Sequence, residues 1–232
     1  MRACSIKWSS RTTANLILLI LEFIILLHGI NKTNSSLKNL ERFLIGHGFE
    51  VVNISYPSTK YSIEEIVDIV HKFIGTELSK YKKISFVGFS MGGLVIRAYL
   101  NKYKLQNLEK VVMVGTPNNG SEVADFFKDN ILYKKFFGPA GGQLTTNQEK
   151  HNILFGKTYY KCGVIAGDLP IDFCYPLMRK NPSDGKVSVS STKLKNMEDH
   201  ITLKVSHWYM PKSKKVWEQI LYFLQYSKFL RK

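Results

Sequence analysis

The stretch Ile84-Ser85-Phe86-Val87-Gly88-Phe89, followed at once by Ser90-Met91-Gly92-Gly93, constrains this chain more than any other. The apolar run has no helical period and reads as a buried strand. It ends in G-x-S-x-G, with Gly88, Ser90 and Gly92 in the fixed places, and Leu94 to Leu100 reads as a helix. Strand, sharp turn and helix together make the serine hydroxyl project from the carboxyl edge of a sheet. The flanking glycines carry no Cβ, so the helix can double back close to the strand. The helix N-terminus then offers partial positive charge to an oxyanion formed at the serine. A glycine-rich turn with an incidental serine would show the same local pattern, so the rest of the chain has to separate the two.

Five further segments read as short strands: Phe23 to Leu27, Phe49 to Ile54, Val111 to Val114, Tyr159 to Ala166 and Ile201 to Val205. Helical stretches separate them. Ser35-Ser36 caps a helix from Leu37 to Gly46. Ser62 and Glu65 form a capping box for the next, whose apolar stripe is Ile63, Ile66, Val67, Val70, Phe73 and Ile74. The helix after Ser90 runs to about Lys104, and the last helix spans Ser213 to Leu230. From 122 to 157 the pattern loosens. Phe126, Phe127, Phe136 and Phe137 lie among lysines, and Gly138, Pro139, Gly141 and Gly142 interrupt. This region reads equally as a lid or as a connecting helix with a long loop. Strands alternating with helices predict one α/β domain over residues 22–232, a mainly parallel six-stranded sheet with helices on both faces. Ligands of such sheets bind beyond the carboxyl ends of the strands. His28, Ser90, Thr116-Pro117, Asp184 and His207 all fall just past a predicted strand end.

A serine hydroxyl needs a base to take its proton, and the base needs a carboxylate to orient it. In this strand–turn–helix setting the expected order along the chain is serine, acid, histidine. His207 follows the sixth strand and is the expected base. His28 precedes the nucleophile, His47 and His71 lie on helices or their ends, His151 is in the 122–157 region, and His200 precedes the sixth strand. Asp184 is the expected acid, in an Asp-Gly turn before an extended Val187-Ser188-Val189. Asp168 is its rival, with Asp172 and Asp199 behind. The oxyanion requires backbone N–H groups. One is expected from Met91 and the second from Ile30, after His28-Gly29, with His28 bracing its loop. No metal set or phosphate loop is present, and a mechanism without cofactors suffices.

The formal net charge of +15 raises nucleic-acid binding as a question. The lysines are scattered singly among apolar residues and pair with no stacking module. A solvated lysine-rich surface, or attraction to an anionic membrane, is the expected reading. Residues 1–21 form a basic and apolar segment. Arg2, Lys7 and Arg11 precede an apolar run from Leu16 to Leu27, too short to span a bilayer, which needs about 20 residues. Cleavage after Leu27 would delete the first strand, which argues against a secretory signal ending there, and Leu16 to Leu21 is read either as a membrane-seeking anchor or as part of a signal. Membrane association or export is preferred over the cytoplasm. Cys4, Cys162 and Cys174 have no metal spacing, and a Cys162–Cys174 bridge would need an oxidising compartment.

The chain resembles the α/β-hydrolase superfamily in its lipase and esterase branch, and small bacterial triacylglycerol-lipase-like hydrolases in particular. The resemblance covers about Phe23 to Phe229. It rests on Leu26-Leu27-His28-Gly29-Ile30, Tyr56-Pro57-Ser58, Gly88-Phe89-Ser90-Met91-Gly92-Gly93-Leu94, Gly115 to Ser121, Asp184-Gly185-Lys186-Val187 and His207. It implies Ser90, Asp184 and His207 as a triad, Ile30 and Met91 as oxyanion amides, and an acyl-ester or lipid substrate. Two departures stand out. Relatives often carry histidine before the nucleophile, where this chain has Phe89, which bears on selectivity. The full fold has two strands ahead of the His-Gly strand, and this chain resembles a reduced core with a small lid insertion. Carboxylester hydrolysis is the leading expectation. Acyl transfer or thioester hydrolysis on the same triad, and a non-catalytic membrane- or nucleic-acid-associated protein, are the alternatives.

Overall fold

The computed structural model describes residues 22–171 and 181–231. The expected membrane-seeking segment, the rival Asp172 and the Cys174 end of the expected bridge lie outside the described residues. The six strands are β1 (Phe23–Leu27), β2 (Glu50–Ile54), β3 (Ile84–Phe89), β4 (Leu108–Val114), β5 (Cys162–Gly167) and β6 (Asp199–Leu203). They form one sheet in the order β2-β1-β3-β4-β5-β6, and every pairing is parallel.

A parallel sheet covered on both faces must be apolar on both, so its strands read as continuous apolar runs. Strand alternation then divides those runs between two cores. Ile25, Leu27, Phe86, Val111, Met113 and Val164 face one side. There they pack against α2 (Ile63–Ile74) and α3 (Met91–Lys102). Ile24, Leu26, Val87, Val112, Val114 and Ile165 face the other. Their partners are α1 (Lys38–Gly46) and α8 (Lys214–Tyr226), the latter through Val216, Trp217, Ile220, Phe223 and Leu224. Each fully buried Leu or Ile contributes roughly 1.5–3 kcal/mol relative to exposure. The strand order places β1 between β2 and β3, so the connections leave β1 and β3 in opposite directions. The carboxyl ends of those two strands therefore flank a crevice.

The insertion is helical: α4 (Glu122–Phe127), α5 (Ile131–Gly142) and α6 (Gln148–Phe155). Gly138, at φ +63°, kinks α5 ahead of Pro139. One further turn of helix, α7 (Val189–Thr192), precedes β6. Among the described residues, no helix is long and apolar enough to cross a membrane.

Several boundaries differ from those expected. Ser35 and Ser36 lie inside a 3₁₀ turn, Asn34–Leu37, rather than capping α1. The Ser62–Glu65 capping box is present. Phe73 lies at the edge of the α2 stripe and is exposed. β4 begins at Leu108, α3 ends at Lys102, and α8 ends at Tyr226, where Ser227 takes a left-handed cap. β5 begins at Cys162 rather than Tyr159, whose ring is exposed with its hydroxyl bonded to Leu100 O. β6 covers Asp199–Leu203 and stops before Val205, because a tight turn closes from Val205 N to Leu203 O. His200 thus lies within β6. Val189 opens α7 rather than continuing an extended segment, with Ser188 as its cap.

Candidate active site

Ser90 sits between β3 and α3 at φ +53°, ψ −125°, a conformation that a residue with a Cβ adopts only under constraint. The constraint is packing. Its amide donates to Val114 O at 2.8 Å, tying the turn to β4. A Cβ on Gly92 would run into the backbone carbonyls of Leu27 and His28, so only glycine lets α3 start against the end of β1. A Cβ on Gly88 would collide with the Gly93 backbone across the same turn. The glycine spacing thus records two close backbone approaches.

Three of the expected residues meet here. His207 Nε2 lies 3.1 Å from Ser90 Oγ. His207 Nδ1 lies 2.7 Å from Asp184 Oδ2. The other carboxylate oxygen, Oδ1, accepts the amides of Lys186 at 2.9 Å and Val187 at 2.8 Å. Those two bonds fix the carboxylate plane, and Asp184 is 1% exposed. His207 N also donates to Asp184 O at 3.0 Å, so backbone and side chain hold the pair together. A buried carboxylate on Nδ1 selects the tautomer with its proton there, which leaves Nε2 as an acceptor toward the serine. The Phe89 ring packs on the His207 imidazole with centroids 5.0 Å apart.

The other candidates lie elsewhere. Asp168 pairs with Lys204 at 2.6 Å on the rim, and Asp199 holds Arg231 and the Phe229 amide. His200 contacts Thr192 Oγ1 at 3.1 Å. His47 bonds its own helix at Phe43 O, and His71 bonds the Tyr99 hydroxyl. His28 is buried beside the crevice without touching Ser90. Its Nε2 accepts the Tyr56 amide at 3.3 Å, so Nδ1 carries the proton and donates to Gly29 O at 2.8 Å. The Tyr56 ring stacks on it at 4.0 Å, and the Tyr56 hydroxyl donates to His28 O. Burial pulls the His28 imidazole below its ordinary value, which keeps it neutral. The loop is braced further on, where Asn31 N donates to Ser58 Oγ at 3.0 Å. Ile30 follows this braced turn at the end of β1, and Met91 opens α3, where the first amides have no acceptor within the helix.

A supporting layer was not visible in the sequence. Arg97, buried on α3, donates to Asn118 O at 2.8 Å. Asn118 Nδ2 in turn reaches Thr192 O at 2.8 Å, and Asn119 N reaches Ser191 O at 3.0 Å. The loop after β4 is thereby fastened to α7, the helix that follows the Asp184 turn. An arginine in the middle of an apolar helix face is the signal that could have found it. Cys162 is buried in β5, and burial pushes its thiol up to about 12, so it is inert at neutral pH. Among the described residues no His, Cys, Asp and Glu group could hold a metal.

The palmitoyl protein thioesterase family profile matches residues 23–164, which include β1, the nucleophile turn and the whole insertion. No curated protein matches the chain. Among solved structures, the mature lipase BlEst2 of Bacillus licheniformis superposes with a TM-score of 0.69 at 18% identity, covering 88% of this chain and 91% of that one. The lin2722 gene product of Listeria innocua gives 0.61 at 19% identity, covering 89% and 94%. Phospholipase PlaB of Legionella pneumophila gives 0.64 at 18% identity, covering 81% of this chain but 53% of that one. Each of these likenesses covers a larger share of the chain than the profile does. The fold is the expected α/β-hydrolase core, and the chain belongs to the palmitoyl protein thioesterase family of serine ester hydrolases.

Proposed function

We propose that the protein hydrolyses fatty-acyl esters or thioesters through an acyl-enzyme on Ser90. The observation that carries this reading is the unbroken chain from Ser90 Oγ through His207 to Asp184, at 3.1 and 2.7 Å. His207 Nε2 takes the Ser90 proton as Oγ bonds to the acyl carbon. The oxyanion rests on the amides of Ile30 and Met91, where the α3 dipole adds to their field. His207 then gives the proton to the leaving oxygen or sulfur as that bond breaks. Water enters, loses a proton to Nε2, and releases the acid with Ser90 restored. Asp184 holds the imidazolium through its bond to Nδ1.

Thioesters are included because the matching family carries that activity in its name, and the same proton path serves a thiol leaving group. Residues 122–157 act as the lid. Phe126, Ile131, Leu132 and Phe136 are exposed along it, as suits an acyl chain or a lipid surface. The experiment is fluorophosphonate labelling with a p-nitrophenyl ester chain-length series, on wild type and Ser90→Ala. Labelling and turnover lost together in the variant support the reading. A folded wild type that neither labels nor turns over any ester removes it.

A further inference from the structure

Two stretches of the sequence, His28-Gly29-Ile30 and Tyr56-Pro57-Ser58, meet in the fold. Gly29 lies against the nucleophile: a Cβ there would stand 3.1 Å from Ser90 Cβ and 3.2 Å from the Phe89 ring. The peptide that follows, Gly29–Ile30, therefore sits beside Ser90. Side chains fix it from both directions. Its carbonyl, Gly29 O, accepts His28 Nδ1–H at 2.8 Å. The next amide along, Asn31 N, donates to Ser58 Oγ at 3.0 Å, with Asn31 in the left-handed region at φ +53°. Between these two bonds, the Ile30 amide has no acceptor among the described residues. The His28 ring is not free to swing away from Gly29 O. It is fully buried, its Nε2 accepts the Tyr56 amide at 3.3 Å, and the Tyr56 ring stacks on it at 4.0 Å. A trans peptide holds its C=O and N–H on opposite sides. With Gly29 O turned toward the buried imidazole, the Ile30 N–H is directed away from it.

We infer that His28 is the positioning residue of the oxyanion site: its Nδ1–H bond to Gly29 O sets the plane of the Gly29–Ile30 peptide and so aims the Ile30 N–H at the oxygen of an acyl group on Ser90. The inference rests on the Ser90–His207 reading of the site. His28 touches no reacting atom and acts through this one peptide, in two ways. It fixes the direction of the donor before charge develops. It also draws electron density from Gly29 O, which strengthens the N–H at the other end of the same amide. When Ser90 Oγ adds to the acyl carbon, the serine proton passes to His207, and the electron pair of the carbonyl bond moves to its oxygen as negative charge. The neutral oxygen of the bound substrate gains less from the same donor, so the effect falls on kcat rather than on KM.

Two substitutions separate the two bonds of the ring. His28→Gln carries its amide at the distance of Nε2 and can still accept Tyr56 N, with nothing at Nδ1. His28→Asn carries its amide at the distance of Nδ1 and can still donate to Gly29 O, with nothing at Nε2. Both are measured with p-nitrophenyl butyrate and with propyl trifluoromethyl ketone, which takes up Ser90 Oγ to form an oxyanion. In His28→Gln, kcat should fall about 10- to 100-fold with KM within about twofold, and the ketone should bind more weakly by the factor lost in kcat/KM. His28→Asn should bring kcat back to within about threefold of wild type, while its urea midpoint drops below that of His28→Gln through the orphaned Tyr56 amide. Equal losses of kcat in the two variants, or a His28→Gln enzyme with the kcat of wild type, overturn the inference. One measurement needs no substitution. Nitrogen NMR shifts of the wild-type His28 ring should report the Nδ1–H tautomer near neutral pH, and the Nε2–H tautomer overturns the inference whether or not a variant folds. A folded wild type that neither labels at Ser90 nor turns over any ester overturns the ester-hydrolase reading, and this inference with it.

Discussion

The sheet edge and the 122–157 insertion are built by opposite rules. At the sheet edge, four polar groups are buried and bonded, while the buried hydroxyls of Thr116 and Ser183 beside them have no hydrogen-bond partner. Ser90, His207, Asp184 and His28 all lie inside, and each has a named partner within hydrogen-bond reach. In the insertion, several large apolar groups are outside, with Phe136 60% exposed and Ile131 and Leu132 more so, although Leu144 and Phe155 are buried. Two buried histidines make the contrast concrete. Both His28 ring nitrogens are engaged, by Tyr56 N and Gly29 O. His151, on α6, is equally buried, yet neither ring nitrogen has a hydrogen-bond partner. Backbone groups of Thr145, Asn118 and Gln143 act on its ring without that geometry. Buried polar groups are normally satisfied, so His28 is specified by its surroundings more closely than His151 is.

The largest expected effect tests the sheet edge. Ser90→Ala should lower kcat/KM by at least about 10⁴-fold while leaving the thermal midpoint near that of wild type. Asp184→Asn should cost roughly 10³- to 10⁴-fold, because an amide at Oδ2 favours the wrong His207 tautomer. A loss below tenfold in either variant, measured on a short p-nitrophenyl ester, would mean that the bonded chain does not carry the reaction.

The two histidines give the next pair. His28→Leu leaves the buried Tyr56 amide without its acceptor and should cost about 1–3 kcal/mol in urea unfolding. His151→Leu removes two unbonded nitrogens and should change stability by less than about 1 kcal/mol, in either direction. Equal losses at the two positions would erase the contrast. Acid should act in the same sense on both. Burial lowers the imidazole of each, with Arg97 adding repulsion at His151. The unfolded chain therefore takes up protons first as the pH falls below about 6.5. Each neutral histidine contributes stability above that pH, and the contribution is lost as the pH falls through the folded-state value. Urea midpoints should drop between pH 7.5 and pH 5, and His28→Gln should make the drop shallower.

The smallest effect tests the insertion. Phe136→Ser should change stability by no more than about 0.5 kcal/mol, as at other exposed sites. It should leave turnover of a soluble short-chain ester within about twofold and reduce turnover of an emulsified long-chain ester several-fold. Equal effects on both substrates would remove the lid role.

Legibility in the sequence followed the same division. The nucleophile turn, β1 and the serine–aspartate–histidine order were readable because glycine spacing, continuous apolar runs and turn residues are local consequences of buried parallel strands. β6 was misplaced by two residues, since Ile201 to Val205 is as apolar as a strand requires and only the Val205–Leu203 turn ends it. The extended reading after Asp184 failed for a related reason. Val189 has strand propensity, but Ser188 caps a helical turn that the Asn118 and Asn119 bonds hold in place. In the insertion, phenylalanines among lysines could not be read as a buried face because Phe126 and Phe136 are exposed and Phe127 and Phe137 only half-buried. The Arg97–Asn118 tie was also beyond reach, since it joins residues that acquire meaning only when α3 meets the loop after β4.

The parallel sheet has a consequence for how activity returns after denaturation. No strand in it pairs through a tight hairpin, so every pairing waits for a crossover to close, and such topologies fold slowly. The bond between His207 and Ser90 spans 117 positions. The strained serine is set by β3, α3 and the neighbouring ends of β1 and β4, whereas its base is delivered only after β5 and β6 have joined the same edge. Recovery of ester turnover during refolding is thus a clock for completion of the whole sheet, and it should lag the return of helical signal.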